Sequence, residues 1–362
     1  MGSSCHFVMI RVILVVVAMF FAFILSECFV RYLHVAPVVY RLPPNASSQS
    51  AYQLSQNPIL GYEFKPNYRS TNYDAHQSFP FINSVGMRDR ERALTPKPGV
   101  IRIALLGDSV VAGNGIRSDS QIISSQMESV LGERFEVLNF GVGGYCTRAE
   151  VEVLQEKALK FHPKVVVLLF VYNDFINSNG VIIERLRPES AYVRSPFVER
   201  AFLSSDLFRF TALRLNLFHF SDEFQSSLEQ NKQAIGDNNV EDGLTLLREI
   251  SNKNDLSVLV VAWPRFSDDK IFYSSEMYEN GQLRIGELAS KYNFPFLSLV
   301  ELYQNDFHQR VSALPPNAKR PSPMWSYTIG DGTHPNPRGA EMAAKFLGNA
   351  IKELFGEYNS RL

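Results

Sequence analysis

From residue 12 to residue 26 the chain reads VILVVVAMFFAFILS without a charge, and after Glu27 and Cys28 the apolar character continues to Val30. At 1.5 Å per residue, about 19 such residues reach roughly the 30 Å of a bilayer core. The pattern therefore predicts a short N-terminal segment over 1–11 and one transmembrane helix, an anchor, over 12–30. A cleaved signal peptide competes with it, but no Ala-x-Ala-like site follows, and LSEC puts a glutamate where a lipoprotein signal has a small residue. A buried helix of a soluble domain is the third alternative. Arg11 precedes the span while Arg31 and Arg41 follow it, so charge leaves the orientation open. A body exported from the cytoplasm is inferred from the leader's position. Pro37, Pro43 and Pro44, then NASSQSAYQLSQN, are too poor in apolar residues to fold alone and read as a linker over 31–56.

Beyond residue 100 short continuous apolar runs alternate with stretches of helical period. IRIALL (101–106), FEVLNF (135–140), KVVVLLFV (164–171), LSVLVVAW (256–263) and FPFLSL (294–299) have the character of strands buried on both faces. The alternation predicts a parallel five-stranded sheet with helices on both sides. Thr147 and Glu150 have capping-box spacing ahead of Leu154, Ala158 and Phe161. Asn336 and Pro337 open a last helix whose stripe is Ala340, Ala343, Leu347, Ile351 and Leu354. Residues 180–240 break the rhythm with AFLSSDLFRFTALRLNLFHF. There Leu203, Leu207, Phe210, Leu213 and Leu217 predict the buried face of a helix packed on the domain, with a lid or membrane-surface element as the alternative, and His219 reads as structural.

Composition removes several function classes. Among 362 residues, 36 Lys and Arg nearly balance 37 Asp and Glu, and no basic stripe carries interleaved aromatics, so nucleic acid is not an expected partner. Of Cys5, Cys28 and Cys146 only the last lies outside the leader, which rules out a disulfide within the body. No group of side chains has metal-ligand spacing, so no metal is expected. Asn45-Ala46-Ser47 fits the glycosylation pattern, though one short match in a long chain is weak.

In an open parallel sheet ligands bind beyond the carboxyl ends of the strands. The first strand runs into Gly107-Asp108-Ser109, the second into Asn139-Phe140-Gly141-Val142-Gly143-Gly144, and the third into Tyr172-Asn173-Asp174, while Asp331-Gly332-Thr333-His334 precedes the last helix. A serine hydroxyl needs a base to become a nucleophile, and the oxyanion it creates needs preorganised donors. Ser109 is the candidate nucleophile, His334 its base, and Asp331 the group that holds the imidazole. The N–H of Ser109, the N–H of Gly144 and the Asn173 amide are the candidate oxyanion donors, with Gly144 chosen over Gly141 and Gly143 by its spacing from Asn139. Taken singly, each tripeptide is also an ordinary turn or cap.

These blocks together resemble the SGNH hydrolases, the GDSL esterases and lipases: GDSVVAG (107–113), NFGVGGY (139–145), VYND (171–174) and DGTHPNPRG (331–339). The segment INSVGMRDRE (82–91) is similar to a preamble of a membrane-anchored bacterial subset, so the resemblance covers about 57–355. It implies a flavodoxin-like three-layer α/β/α sandwich over 101–355, an N-terminal arm over 57–100 packed on it, no cofactor, and esterase, lipase, thioesterase or acyl-transfer activity. Val110 stands where the family usually has leucine, and Cys146 where a small or threonine-like residue is common, read here as a buried neutral thiol. Asp108 and Asp174 read as struts for their loops. Arg88, with Asn83, either packs near the site as a substrate contact or pins the arm. Trp325 and Tyr327 are candidates to wall a substrate pocket, with core packing as the alternative.

The expected function is a membrane-anchored carboxylic ester hydrolase, or acyltransferase, acting outside the cytoplasm on an acyl ester. The anchored subset suggests O-acetyl on an envelope glycan. The alternative is an inactive member of the same fold serving an envelope polysaccharide system as a binding or scaffold component. Nucleotide binding is disfavoured because no Lys-Ser or Lys-Thr follows the glycines of 107–115.

Overall fold

The computed structural model describes residues 2–36, 51–70, 79–186 and 194–359, without the side chains of 2–9, 184–185, 222–227 and 355–359. Most of the expected linker, with Pro37, Pro43, Pro44 and the Asn45-Ala46-Ser47 sequon, lies outside the described residues. The chain divides into two compact units, Met1–Ser47 with Ile183–Glu229, and Ser48–Ile182 with Gln230–Leu362.

The second unit is built on five parallel strands, each a valine- and leucine-rich run where expected. They are β3 (Ile101–Gly107), β4 (Phe135–Asn139), β5 (Val165–Phe170), β6 (Ser257–Ala262) and β11 (Phe296–Ser298), in the spatial order β11-β6-β5-β3-β4. Ranked along the chain this is the order 2-1-3-4-5 of flavodoxin-like sheets. The register pairs Leu105 with Asn139, Gly107 with Leu169 and Phe170 with Ala262, so the strands end at one edge.

On one face Ile103, Leu105, Val167, Leu169 and Val261 pack with Met127 of α3 (Ile123–Leu131) and Ala343 and Leu347 of α13 (Pro337–Asn359). The alternate residues Ala104, Leu106, Leu138, Val166, Leu168 and Val260 are equally buried and face the other way. There α4 (Thr147–Glu156) packs against β3 and against α9 (Asn239–Asn254). Asn336 caps α13 by accepting from the Gly339 N–H at 2.9 Å, as its position predicted.

Ahead of the sheet, β1 (Tyr52–Leu54) and β2 (Tyr62–Phe64) form an antiparallel hairpin. Shorter elements complete the unit: α2 (Ser109–Ala112), the start of α5 (Asn179–Arg185), which runs on into the other unit, α10 (Arg284–Lys291), α11 (Val300–Ser312), α12 (Pro323–Tyr327), and the two-residue pairs β7 (Arg265–Phe266) with β8 (Ile271–Phe272) and β9 (Tyr278–Glu279) with β10 (Gln282–Leu283).

The other unit holds α1 (Gly2–Tyr32), α6 (Pro196–Ser204) and α7 (Asp206–Arg214), with α8 (Phe220–Ile235) beginning in it. Ile10–Tyr32 of α1 is long and apolar enough, by length and composition, to cross a membrane. Glu27 closes the start of α7: its carboxylate accepts from the Asp206 and Leu207 N–H groups at 2.9 Å each and from Ser205 Oγ at 2.7 Å, while Arg31 bonds the same carboxylate and the Ser204 carbonyl. Donors orphaned at a helix start and a carboxylate are natural partners.

Three local expectations differ from what folds. Thr147 is the first helical residue of α4, not its cap; the Thr147 hydroxyl and the Glu150 carboxyl are buried without hydrogen-bond partners among the described residues, so no capping box forms. Leu354 leaves the stripe of α13 and is exposed. The leucines of the insertion do not form one buried face, because Ser205 accepts from the Phe208 N–H and starts a new helix there. Within 201–220 the buried residues are Phe202, Arg209, Ala212 and Phe220, with the Phe202 and Phe220 rings stacked at 4.0 Å, and α7 packs on α1.

Candidate active site

Each loop of interest is fixed by the chain around it. Gly107 ends β3, and Asp108 caps α2 by accepting from the Val110 N–H at 2.9 Å, which sets Ser109 at the first helical position. The buried Asn139 accepts from the Gly141 N–H at 2.9 Å and donates to the Val111 carbonyl at 3.0 Å, tying the second loop to α2. A Cβ on Gly141 would lie 2.3 Å from the Ala112 nitrogen, so only glycine allows this approach. Asp174 accepts from the Val171 N–H at 3.0 Å and folds Tyr172–Phe175 into a tight turn that presents Asn173. The histidine loop is held by Trp263, whose indole donates to the Thr333 carbonyl at 2.8 Å, and by the Phe266 N–H on Gly332.

These loops meet at the strand ends. His334 Nε2 stands 2.8 Å from Ser109 Oγ, and His334 Nδ1 stands 2.5 Å from Asp331 Oδ2, while Asp331 Oδ1 accepts from the N–H groups of Thr333 and His334. Burial works to raise the Asp331 carboxyl, but the bonds from the His334 ring and the two N–H groups outweigh it and hold it below its usual value. Ser109 Oγ also lies 3.2 Å from Asp108 Oδ2, which accepts from Asn173 Nδ2 at 2.9 Å. The single hydroxyl hydrogen can serve only one acceptor, and the imidazole is the nearer.

Gly143 lies against the serine, for a Cβ built on it would come 3.6 Å from Ser109 Cβ. Gly144 follows at φ +83°, a conformation glycine adopts without strain, and its N–H has no hydrogen-bond partner among the described residues. The Ser109 N–H, at a first helical position, has no intrahelical acceptor. One hydrogen of the Asn173 amide remains beyond its bond to Asp108. These three N–H groups are the candidates that the sequence offered to meet charge developing on a carbonyl oxygen.

Beneath them lie the buried carboxyls of Asp108, Asp174 and Glu150. Burial raises all three, reinforced at Glu150 by Asp174 and at Asp174 by Asp108, and at Asp108 it prevails over the bonds from Val110 and Asn173. Cys146 is fully buried, and burial pushes its thiol up to about 12, a neutral group as expected.

Other candidates fall elsewhere. Tyr327 is completely buried among Tyr303, Phe266 and Phe307, with its hydroxyl on Asp306 at 2.5 Å; it is a core residue and cannot wall a pocket. Arg88 is buried and donates to the carbonyls of Ala112, Gly113 and Ile116 and to Asp119, so it pins the arm to the segment after Ser109, leaving no free face for substrate. Trp325 is 64% exposed, its ring packed over Gly330. Sequence reasoning missed Tyr62, whose hydroxyl meets the Gly143 carbonyl, Ser178, which donates to the Gly144 carbonyl at 2.8 Å, and Arg265, which bonds both the Tyr172 hydroxyl and Thr333 Oγ1 and so joins two site loops. None follows a main strand with a recognisable motif, so no local signal marked them.

The sequence profile of the GDSL-like lipase/acylhydrolase family matches residues 105–342. No curated protein matches the chain. Among solved structures, a two-domain esterase active on acetylated mannans aligns at 16% identity and TM-score 0.40 over 70% of this chain and 49% of its own, so the chain spans about half of that protein's length. A lipase/acylhydrolase from Enterococcus faecalis aligns at 15% identity and TM-score 0.37, over 70% of this chain and 96% of its own. A carbohydrate acetylesterase family member from Sinorhizobium meliloti aligns at 13% and 0.36, over 71% and 100%. With the profile spanning the strand ends where serine, histidine and glycines converge, the chain belongs to the GDSL-like lipase/acylhydrolase family.

Proposed function

We propose that the protein is a membrane-anchored serine esterase that cleaves an acyl ester through an acyl-enzyme, with Ser109, His334 and Asp331 as its triad. As Ser109 Oγ attacks the ester carbonyl, His334 Nε2 takes its proton, and Asp331 holds the ring and stabilises the cation that forms. The oxyanion develops against the N–H groups of Ser109 and Gly144 and the free Asn173 amide hydrogen. The imidazolium returns the proton to the leaving alcohol. Water then opens the acyl-enzyme with the same imidazole as base, or another hydroxyl does so in transfer. The observation that carries this reading is the unbroken relay of 2.8 Å from Oγ to Nε2 and 2.5 Å from Nδ1 to the carboxylate.

An O-acetyl group on a cell-envelope glycan is the proposed substrate class, and the domain is proposed to lie outside the cytoplasm. The substrate class rests on the resemblance of 82–91 to the anchored subset, and the location on the position of the apolar leader. Retention of α1 as an anchor is supported by the bonds of Glu27 to the start of α7, which a cleaved leader would forfeit.

A fluorophosphonate probe tests the triad. The folded wild type is expected to be labelled at Ser109, and Ser109→Ala to be unlabelled with turnover reduced on the order of 10⁴-fold or more. A folded wild type that stays unlabelled overturns the enzyme reading in favour of the binding role. Acetate release from acetylated glycans, set against chromogenic esters of increasing chain length, tests the substrate class.

A further inference from the structure

Tyr62 lies in the hairpin upstream of the family match, completely buried, and its hydroxyl donates to the Gly143 carbonyl at 2.8 Å. That carbonyl belongs to the peptide unit whose other end is the Gly144 N–H. In a planar trans peptide the C=O and N–H point in opposite directions, so a clamp on one sets the aim of the other. We propose that Tyr62 is the positioning residue of the oxyanion hole, holding the Gly143–Gly144 peptide so that its N–H faces the reacting carbonyl. The inference rests on the reading of Gly144 as an oxyanion donor.

The need for such a clamp follows from the two glycines. A Cβ on Gly143 would come 2.6 Å from the Tyr52 hydroxyl and force it to move, and Gly144 stands at φ +83°. Adjacent glycines clear the approach to the serine, but they also give the peptide between them the greatest freedom to rotate. A bond to the carbonyl removes that freedom, and it polarises the same peptide, strengthening the N–H as a donor. Tyr62 is itself held from both sides. Its ring packs on Tyr145 at 5.1 Å and Tyr52 at 5.6 Å, and its own carbonyl accepts from the Tyr145 hydroxyl. Burial, reinforced by Tyr145, drives the Tyr62 phenol well above its ordinary value, so it stays protonated and donating.

Gly143-Gly144 is the sole Gly–Gly pair in the chain, so glycine labelled with ¹³C at the carbonyl and with ¹⁵N gives one carbonyl–amide correlation for this peptide. In the wild-type full chain, binding of a boronic acid that mimics the tetrahedral state is expected to move the amide and carbonyl signals together. Tyr62→Phe, which keeps the ring and deletes the donor, is expected to shift the carbonyl signal upfield and lower kcat about tenfold with KM within twofold, a loss on the transition-state side. The boronate should weaken by the same factor as kcat/KM. Tyr303→Phe deletes a buried tyrosine bond of the same kind, to the Gly339 carbonyl at 2.7 Å, and is expected to cost stability while leaving kcat within twofold.

If the wild-type amide does not respond to boronate, the assignment of Gly144 as donor fails. If it responds while Tyr62→Phe keeps the wild-type carbonyl shift or kcat, the role of Tyr62 fails alone. Should Tyr62→Phe not fold, an amide that moves in the wild type without its carbonyl overturns the proposal.

Discussion

Glu150 is the residue whose chemistry is most at odds with its surroundings. It sits in α4 with both carboxyl oxygens unpartnered among the described residues, and burial, then Asp174, raises its pKa well above the ordinary carboxylate value. Below pH of about 4 the carboxyl is protonated in folded and unfolded chains alike and contributes no pH dependence. As pH rises past that point only the unfolded chain ionises, so folding loses stability with each further rise until the folded group ionises too. Glu150→Gln is therefore expected to gain in melting temperature relative to wild type between pH 4 and pH 7, whatever the fixed cost of its amide. A difference independent of pH would show that the carboxyl is not held protonated. Asp331 has the opposite sign, because its lowered carboxyl contributes stability that disappears as pH falls. Two acids in one site thus pull the pH profile in different directions, and sequence spacing suggested this for neither.

At the scale of elements, the strands were legible because burial on both faces demands unbroken Val, Leu and Ile runs, and the five runs fold where they stand. The meeting of Ser109, Asn173, Asp331 and His334 at one edge was legible for a related reason: parallel strands in this order bring their carboxyl ends together. Caps and stripes were less so. Thr147 and Glu150 have the spacing of a capping box but turn into the interior, and the insertion's leucines keep a helical period across a break made by Ser205. The hairpin β1–β2 was illegible, since three-residue strands carry no periodicity and acquire meaning only by packing on the loop at 143–145. It follows that a chain begun at residue 101, though it contains the whole family match, lacks both Tyr62 and the Arg88 guanidinium that binds the carbonyls after Ser109. Such a chain is expected to show less than a tenth of the fluorophosphonate labelling of the full chain per mole of soluble protein. Equal labelling would show that the arm is dispensable.

For the whole molecule, the long apolar helix α1 sets the expectation. With α1 retained, the full chain is expected to stay with the membrane pellet through high salt and carbonate and to leave it only with detergent. Recovery of a shortened soluble protein would instead identify a signal sequence. The architecture of the sheet was readable from the chain, whereas the grouping of α1 with residues 183–229 was not, because it depends on a glutamate within an apolar run finding the open end of a helix some 180 residues away. That pairing separates two events usually treated as one. If the chain were cut between Tyr32 and Ala51, the start of α7 would still be bonded to Glu27 and Arg31, so on the proposed anchoring such a cut would not in itself release the remainder of the protein.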